Sequence, residues 1–194
     1  MRSVGRSVFS SGLVIILLCV AVVLGYTTDV LITRAEKFIY PTDFSEQVMA
    51  CAENYDLDPH IIYAMIKELS NFSSNRISDD GRIGLMQLSE DTFMWLTTEQ
   101  LGENLDPGLL YDPTTNIRYG CYYLLYLTTR YDSWETVFAA YLSDPSLVDK
   151  WLMDASTEHE FVIPNEEISQ KASRIQRSVD KYKKLYQQKG DVVS

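Results

Sequence analysis

Apolar residues in this chain form one continuous block and then a series of short helical stripes. Gly12 to Gly25 is an almost unbroken apolar run of 14 positions. That is short for a membrane span, and Val8, Phe9 and Tyr26 extend it to about 20 residues, the length that a bilayer requires. Beyond it, Val48, Cys51, Ala52 and Tyr55 recur at helical spacing. Asp56-Leu57-Asp58-Pro59 reads as a stop followed by a fresh N-cap, with Pro59 suited to a first helical turn. Ile61, Ile62, Met65, Ile66 and Leu69 then form one apolar stripe. Ser73 to Gly84 is a polar loop. Ser89 caps a predicted helix to Leu101, with Phe93, Leu96 and Leu101 turned inward. Gly102 to Pro113 is a loop with a Pro107-Gly108 turn signal, and Thr114 to Tyr131 a long helix rich in Tyr and Leu. Ser133 caps another helix ending at Leu142, Ser146 to Met153 is short, and Glu166 to Gln188 closes the chain. No segment shows sustained strand-type alternation, so the expectation is one all-α globular domain behind an N-terminal apolar helix.

The pattern divides the chain into residues 1–27, an N-terminal signal anchor; 28–43, a juxtamembrane connector; and 44–190, the globular domain. An uncleaved anchor is favoured over a cleaved signal peptide, because Val23 and Gly25 do not form an Ala-x-Ala site. Arg2 and Arg6 both precede the run, which keeps the N-terminus cytoplasmic and places the domain outside, at the cell membrane with a single pass. The formal net charge is −10, and the 15 basic and 27 acidic residues that follow the anchor leave the exported part at −12. Such acidity excludes nucleic acid as a partner and disfavours an anionic membrane surface.

Three cysteines are too few for a disulfide framework. Cys51 and Cys121 sit on helical patterns as small buried residues, and a single bridge between them stays open. The two histidines, His60 and His159, lack zinc-ligand spacing, so neither a metal nor a cofactor is expected. The aromatic cluster Tyr119, Tyr122, Tyr123 and Tyr126 reads as helix packing, with some rings free to flank sugar faces.

The most specific stretch is Glu68-Leu-Ser-Asn-Phe72 followed by Ser78, Gly81 and Gly84-Leu-Met-Gln87. It resembles the core motif of the SLT-type lytic transglycosylases, a lysozyme-like, mainly helical family that cleaves peptidoglycan glycan strands. Tyr55 to Ala64, Leu110 to Gly120, Ala139-Ala-Tyr141 and Ile163-Pro164 are similar to further family segments, so the likeness spans residues 40 to 187. The resemblance implies a groove for N-acetylglucosamine and N-acetylmuramic acid, with Ser70, Phe72, Met86, Gln87 and Tyr141 as substrate-binding residues. It also implies one catalytic Glu, which protonates the glycosidic oxygen while the muramic acid 6-hydroxyl attacks to give a 1,6-anhydro product. Such a Glu must be half buried to keep its proton near neutrality.

This chain departs from that pattern at the Glu itself. Leu69 lies fifteen residues before Gly84, the family's spacing for the acid. Leu142 stands at an Asn position, Ser143-Asp144 at Ala-Gly, Arg82 at a small residue and Lys171 at a Tyr. General acid catalysis contributes typically ~10²–10⁴-fold, and Leu69 has no proton to give. Glu68 is the nearest replacement, but successive helical residues point about 100° apart, and Leu69 is the one in phase with the apolar stripe. Two readings follow. The first is a membrane-anchored pseudoenzyme facing the cell wall, which binds peptidoglycan glycan strands with catalysis lost or strongly reduced. The second is an active lytic transglycosylase with Glu68 as a displaced catalytic acid. A groove turned to a cell-envelope protein partner is a third.

Overall fold

The computed structural model describes residues 4–155 and 162–186. The chain divides into two compact units, Met1–Pro41 and Thr42–Ser194.

The first unit is a single helix, α1 (Val4–Ile39). Its 36 residues span about 54 Å at 1.5 Å per residue. Leu17, Leu18, Val22, Val23 and Leu24 are exposed along it. Among the described residues this one helix is long and apolar enough to cross a membrane, over Leu17–Ile39. Residues 28–39, expected as connector, thus continue the same helix.

The regular elements of the second unit are all helical among its described residues, joined by loops with two isolated bridges and no named strand. Its elements are α2 (Ser45–Tyr55), α3 (Pro59–Ser70), α4 (Glu90–Met94), α5 (Pro113–Thr128), α6 (Trp134–Leu142), α7 (Pro145–Asp154) and α8 (Glu166–Tyr186). Asp58, Ser89 and Ser133 cap their helices as expected, each accepting a backbone N–H of the first turn through the side chain. Asp112 and Asp144, expected in loops, do the same for α5 and α7.

α3 is the central element. Ile62, Ala64, Met65 and Ile66 have no exposed surface, and α3 packs on α8 through Tyr63, whose ring stacks on Tyr182 at 5.5 Å between centroids. α2 packs on α5, and α6 lies against both α5 and α8.

Three sequence expectations are corrected. The helix expected from Ser89 to Leu101 is α-helical only to Met94 and continues as a π-helical turn, Trp95–Gln100. Thr97 and Thr98 both donate their hydroxyls to the Met94 carbonyl and compete with the regular ladder. The Leu101 N–H consequently reaches back to the Leu96 carbonyl, and Leu101, expected inward, is exposed. The helix expected to Tyr131 ends at Thr128, where the hydroxyls of Thr128 and Thr129 take the Leu125 and Tyr126 carbonyls. The loop before α5 contains a 3-10 turn, Pro107–Tyr111, that buries Leu110. His159 and the last residues of the expected terminal helix lie outside the described residues.

Candidate functional site

The loop between α3 and α4 carries most of the motif. α3 ends because Asn71 and Phe72 both adopt left-handed backbone conformations, with φ of 50° and 63°. The chain then folds into a tight knot, in which Ile83 bridges both Ile77 and Leu88. Gly84 has φ of +82°, and a Cβ there would lie 2.1 Å from the Asn116 side-chain nitrogen. Glycine is therefore required on both conformational and steric grounds.

Asn116 holds the knot together. Its Nδ2 donates to the carbonyls of Ile83 (2.9 Å) and Leu110 (2.8 Å), and its Oδ1 accepts the Met86 N–H (2.7 Å). The side chain is wholly buried. Met86 packs beneath the loop on Gly120, where a Cβ would meet the Met86 sulfur at 2.4 Å. The buried Tyr141 hydroxyl donates to the Met86 carbonyl at 2.9 Å. Gln87, at φ of 50°, is fixed by its own side chain, whose Nε2 donates to the Gly84 and Arg76 carbonyls.

Two cavities flank this framework. The smaller, about 60 Å³, is lined by Leu69, Arg76, Ser78, Asp80, Arg82, Gln87, Leu142 and Lys171. The larger, about 390 Å³, is lined by Asp91, Thr92, Trp95, Tyr123, Tyr126, Arg130, Asp144, Pro145 and Ser146. Trp95 meets Tyr126 edge-on at 4.8 Å, and Tyr123 stacks parallel to Tyr126 at 6.4 Å. Part of the tyrosine cluster thus walls a cleft, while Tyr119 is buried against Phe93.

Arg82 ties the two sides of the site together. Its guanidinium donates to the carbonyls of Tyr141 (2.7 Å), Leu142 (3.2 Å) and Ser143 (3.1 Å) at the C-terminal end of α6, and to Asp80 (3.0 Å). The last carbonyls of a helix lack intrahelical donors and carry partial negative charge, so a guanidinium satisfies both needs at once. Ser78 donates to Asp80. That bond holds the Asp80 carboxyl below its ordinary value, aided by the Arg82 charge and outweighing the opposing effect of burial.

The named site residues are dispersed around this centre. Leu69 and Gln87 line the smaller cavity. Ser70, Met86 and Tyr141 are buried, and the Ser70 hydroxyl donates to the Ile66 carbonyl one turn back. Phe72 is half-buried in the loop and borders neither cavity. Glu68 faces α8: its carboxylate accepts from the Ser178 hydroxyl and lies 3.9 Å from Arg174, and it borders neither cavity. Sequence reasoning missed Asn116 as the loop's organiser. It noted Arg82 as a departure without its three carbonyl contacts, since these connect residues about sixty positions apart. Among the described residues, no group of His, Cys, Asp and Glu is placed to hold a metal ion.

The transglycosylase SLT domain model matches residues 46–163, more than half of the chain. The chain belongs to the transglycosylase SLT domain family. Three solved structures share the SLT fold. The lytic transglycosylase Slt of Pseudomonas aeruginosa, solved as an inactive mutant, is 26% identical with a TM-score of 0.68, over 80% of this chain and 26% of that one. The 70 kDa soluble lytic transglycosylase of Escherichia coli is 22% identical with a TM-score of 0.70, over 77% of this chain and 25% of that one. A 70-kDa soluble lytic transglycosylase in complex with bulgecin A is 22% identical with a TM-score of 0.72, over 82% of this chain and 27% of that one. This SLT protein thus spans about a quarter of the length of each relative.

Proposed function

We propose that this protein is a membrane-anchored, non-cleaving member of the SLT family that faces the cell wall and binds peptidoglycan glycan strands. The carrying observation is the lining of the cavity at Leu69. Cleavage of a glycosidic bond needs a proton on the leaving oxygen, and Asp80 is the one carboxylate on that lining. Asp80 is ion-paired to Arg82, and its depressed pKa keeps it ionised at neutral pH. It is therefore a poor proton donor, and Leu69 is none.

Glycan binding is supported by the larger cleft, whose lining combines the aromatic side chains of Trp95, Tyr123 and Tyr126 with the polar groups of Asp91, Arg130 and Asp144. Anchoring is supported by the exposed apolar helix and by Arg2 and Arg6 ahead of it. Glu68, the alternative acid, gains no support, because its carboxylate is engaged by Ser178 on α8.

Sedimentation of the detergent-solubilised full chain with purified peptidoglycan sacculi tests the binding. The protein should pellet with sacculi, and Tyr126→Ala combined with Trp95→Ala should leave it in the supernatant. Equal pelleting of the double variant would remove the aromatic cleft from the account.

A further inference from the structure

The cavity at Leu69 is notable for what surrounds it as well as for what it lacks. The chain after the anchor is strongly acidic, yet three cations, Arg76, Arg82 and Lys171, line this one cavity against a single carboxylate, Asp80. The lining is thus +2. Asp80 is already neutralised by Arg82 and held by Ser78. Among the described residues, neither Arg76 nor Lys171 has an ion-pair partner. Leu69 and Leu142 supply an apolar wall beside the charge. A volume of about 60 Å³ holds a group of a few heavy atoms.

The two cavities are neighbours. Leu142 lines the smaller and Asp144 the larger, and the Ser143 carbonyl between them is held by Arg82. The two linings thus meet at the Leu142–Asp144 segment, where a ligand that occupies one cavity can extend toward the other.

We propose that the cavity around Leu69 is an anion site, which takes a ligand carboxylate on a short apolar stem, carried by a sugar held in the adjoining aromatic cleft. The loss of the family's acid is then also the creation of a receptor for an acid: Leu69 removes a carboxylate that would repel the ligand, and Lys171 adds an ammonium that attracts it. Charge-assisted hydrogen bonds from Lys171 and Arg76 provide the attraction, and Leu69 and Leu142 accept the stem. This rests on the glycan-binding reading above. Two sources in the cell wall carry the chemistry: the lactyl carboxylate of muramic acid where no peptide is amide-linked to it, and the free C-terminus of a peptide stem.

Methyl NMR of the full chain in detergent micelles, observing Leu69 and Leu142, tests the site. The probes are N-acetylmuramic acid, N-acetylglucosamine, D-alanyl-D-alanine and inorganic phosphate. A carboxylate probe should shift both leucines saturably, and N-acetylglucosamine should not. Whichever carboxylate binds more tightly identifies the source. Lys171→Gln should weaken binding about five- to tenfold, while Lys150→Gln on the exposed face of α7 should leave it unchanged. Unmoved leucines with every carboxylate, or a response to phosphate alone, would overturn the proposal. Sacculus binding with unmoved leucines would end the anion site and leave the glycan reading intact. Moved leucines without sacculus binding would uphold the anion site and end that reading.

Discussion

At the scale of single residues, the site is organised by two polar side chains that satisfy backbone groups, Asn116 and Arg82. Asn116→Ala removes three hydrogen bonds and leaves the Met86 N–H and the Leu110 carbonyl buried without these partners, while the Ile83 carbonyl keeps the Leu88 N–H. The expected loss is about 2–5 kcal/mol, since each orphaned buried group costs about 1–3 kcal/mol, measured by urea unfolding. A loss below ~1 kcal/mol would mean that water replaces the amide. Arg82→Lys should cost about 1–2 kcal/mol, because an ammonium lacks the planar fork that reaches three carbonyls and Asp80 together. Leu69→Glu should not restore cleavage by itself, because Arg76, Arg82 and Lys171 would hold the new carboxylate ionised. Release of 1,6-anhydro products by that variant would show that the proton donor was the only missing part. The side of α3 that Leu69 occupies was legible in the chain, from the phase of the apolar stripe, and the structure places Leu69 on the lining of the smaller cavity. The direction of Glu68 toward Ser178 was not, since residue 178 is 110 positions away and nothing local encodes the pairing. The role of Asn116 was hidden for the same reason: its partners lie on a loop thirty-odd residues earlier in the chain.

At the scale of elements, α3 is positioned by α8 through stacked tyrosines and through Asp58, the α3 N-cap, whose carboxylate lies 2.9 Å from the Lys183 ammonium. Burial raises the Asp58 pKa, but the hydrogen bonds from Lys183 and His60 outweigh it, so the folded value lies below the ordinary 3.8. A carboxyl depressed on folding adds stability above its unfolded pKa and loses it as pH falls through the folded value. Stability should therefore drop as pH falls below about 3.8. Asp58→Asn, which keeps a capping oxygen and loses the charge, should flatten that drop; an unchanged acid profile would exclude Asp58 as its source. Helix starts were legible because Asp, Ser and Pro at caps act through local backbone groups. Helix ends were less so. The π-helical turn at Trp95–Gln100 depends on threonine hydroxyls competing for one carbonyl, and a hydrophobic stripe does not reveal that competition.

At the scale of the whole molecule, the chain joins an exposed apolar helix to an SLT domain whose cavity at Leu69 is lined by one carboxylate, the ion-paired Asp80. On the proposed reading the fold is kept without its chemistry, which is expected where the groove still has a use, since fold and activity are separable. Among the described residues, no buried side-chain polar atom lacks a partner, so the substitutions at Leu69, Arg82 and Leu142 form a satisfied arrangement. The most direct test of the account is a digest of purified peptidoglycan by the full chain, read by mass spectrometry for 1,6-anhydro-muropeptides. The account predicts none above a protein-free control, with the glycan strands unshortened. Anhydro products that disappear in Glu68→Gln would contradict it and return Glu68 to the role of acid.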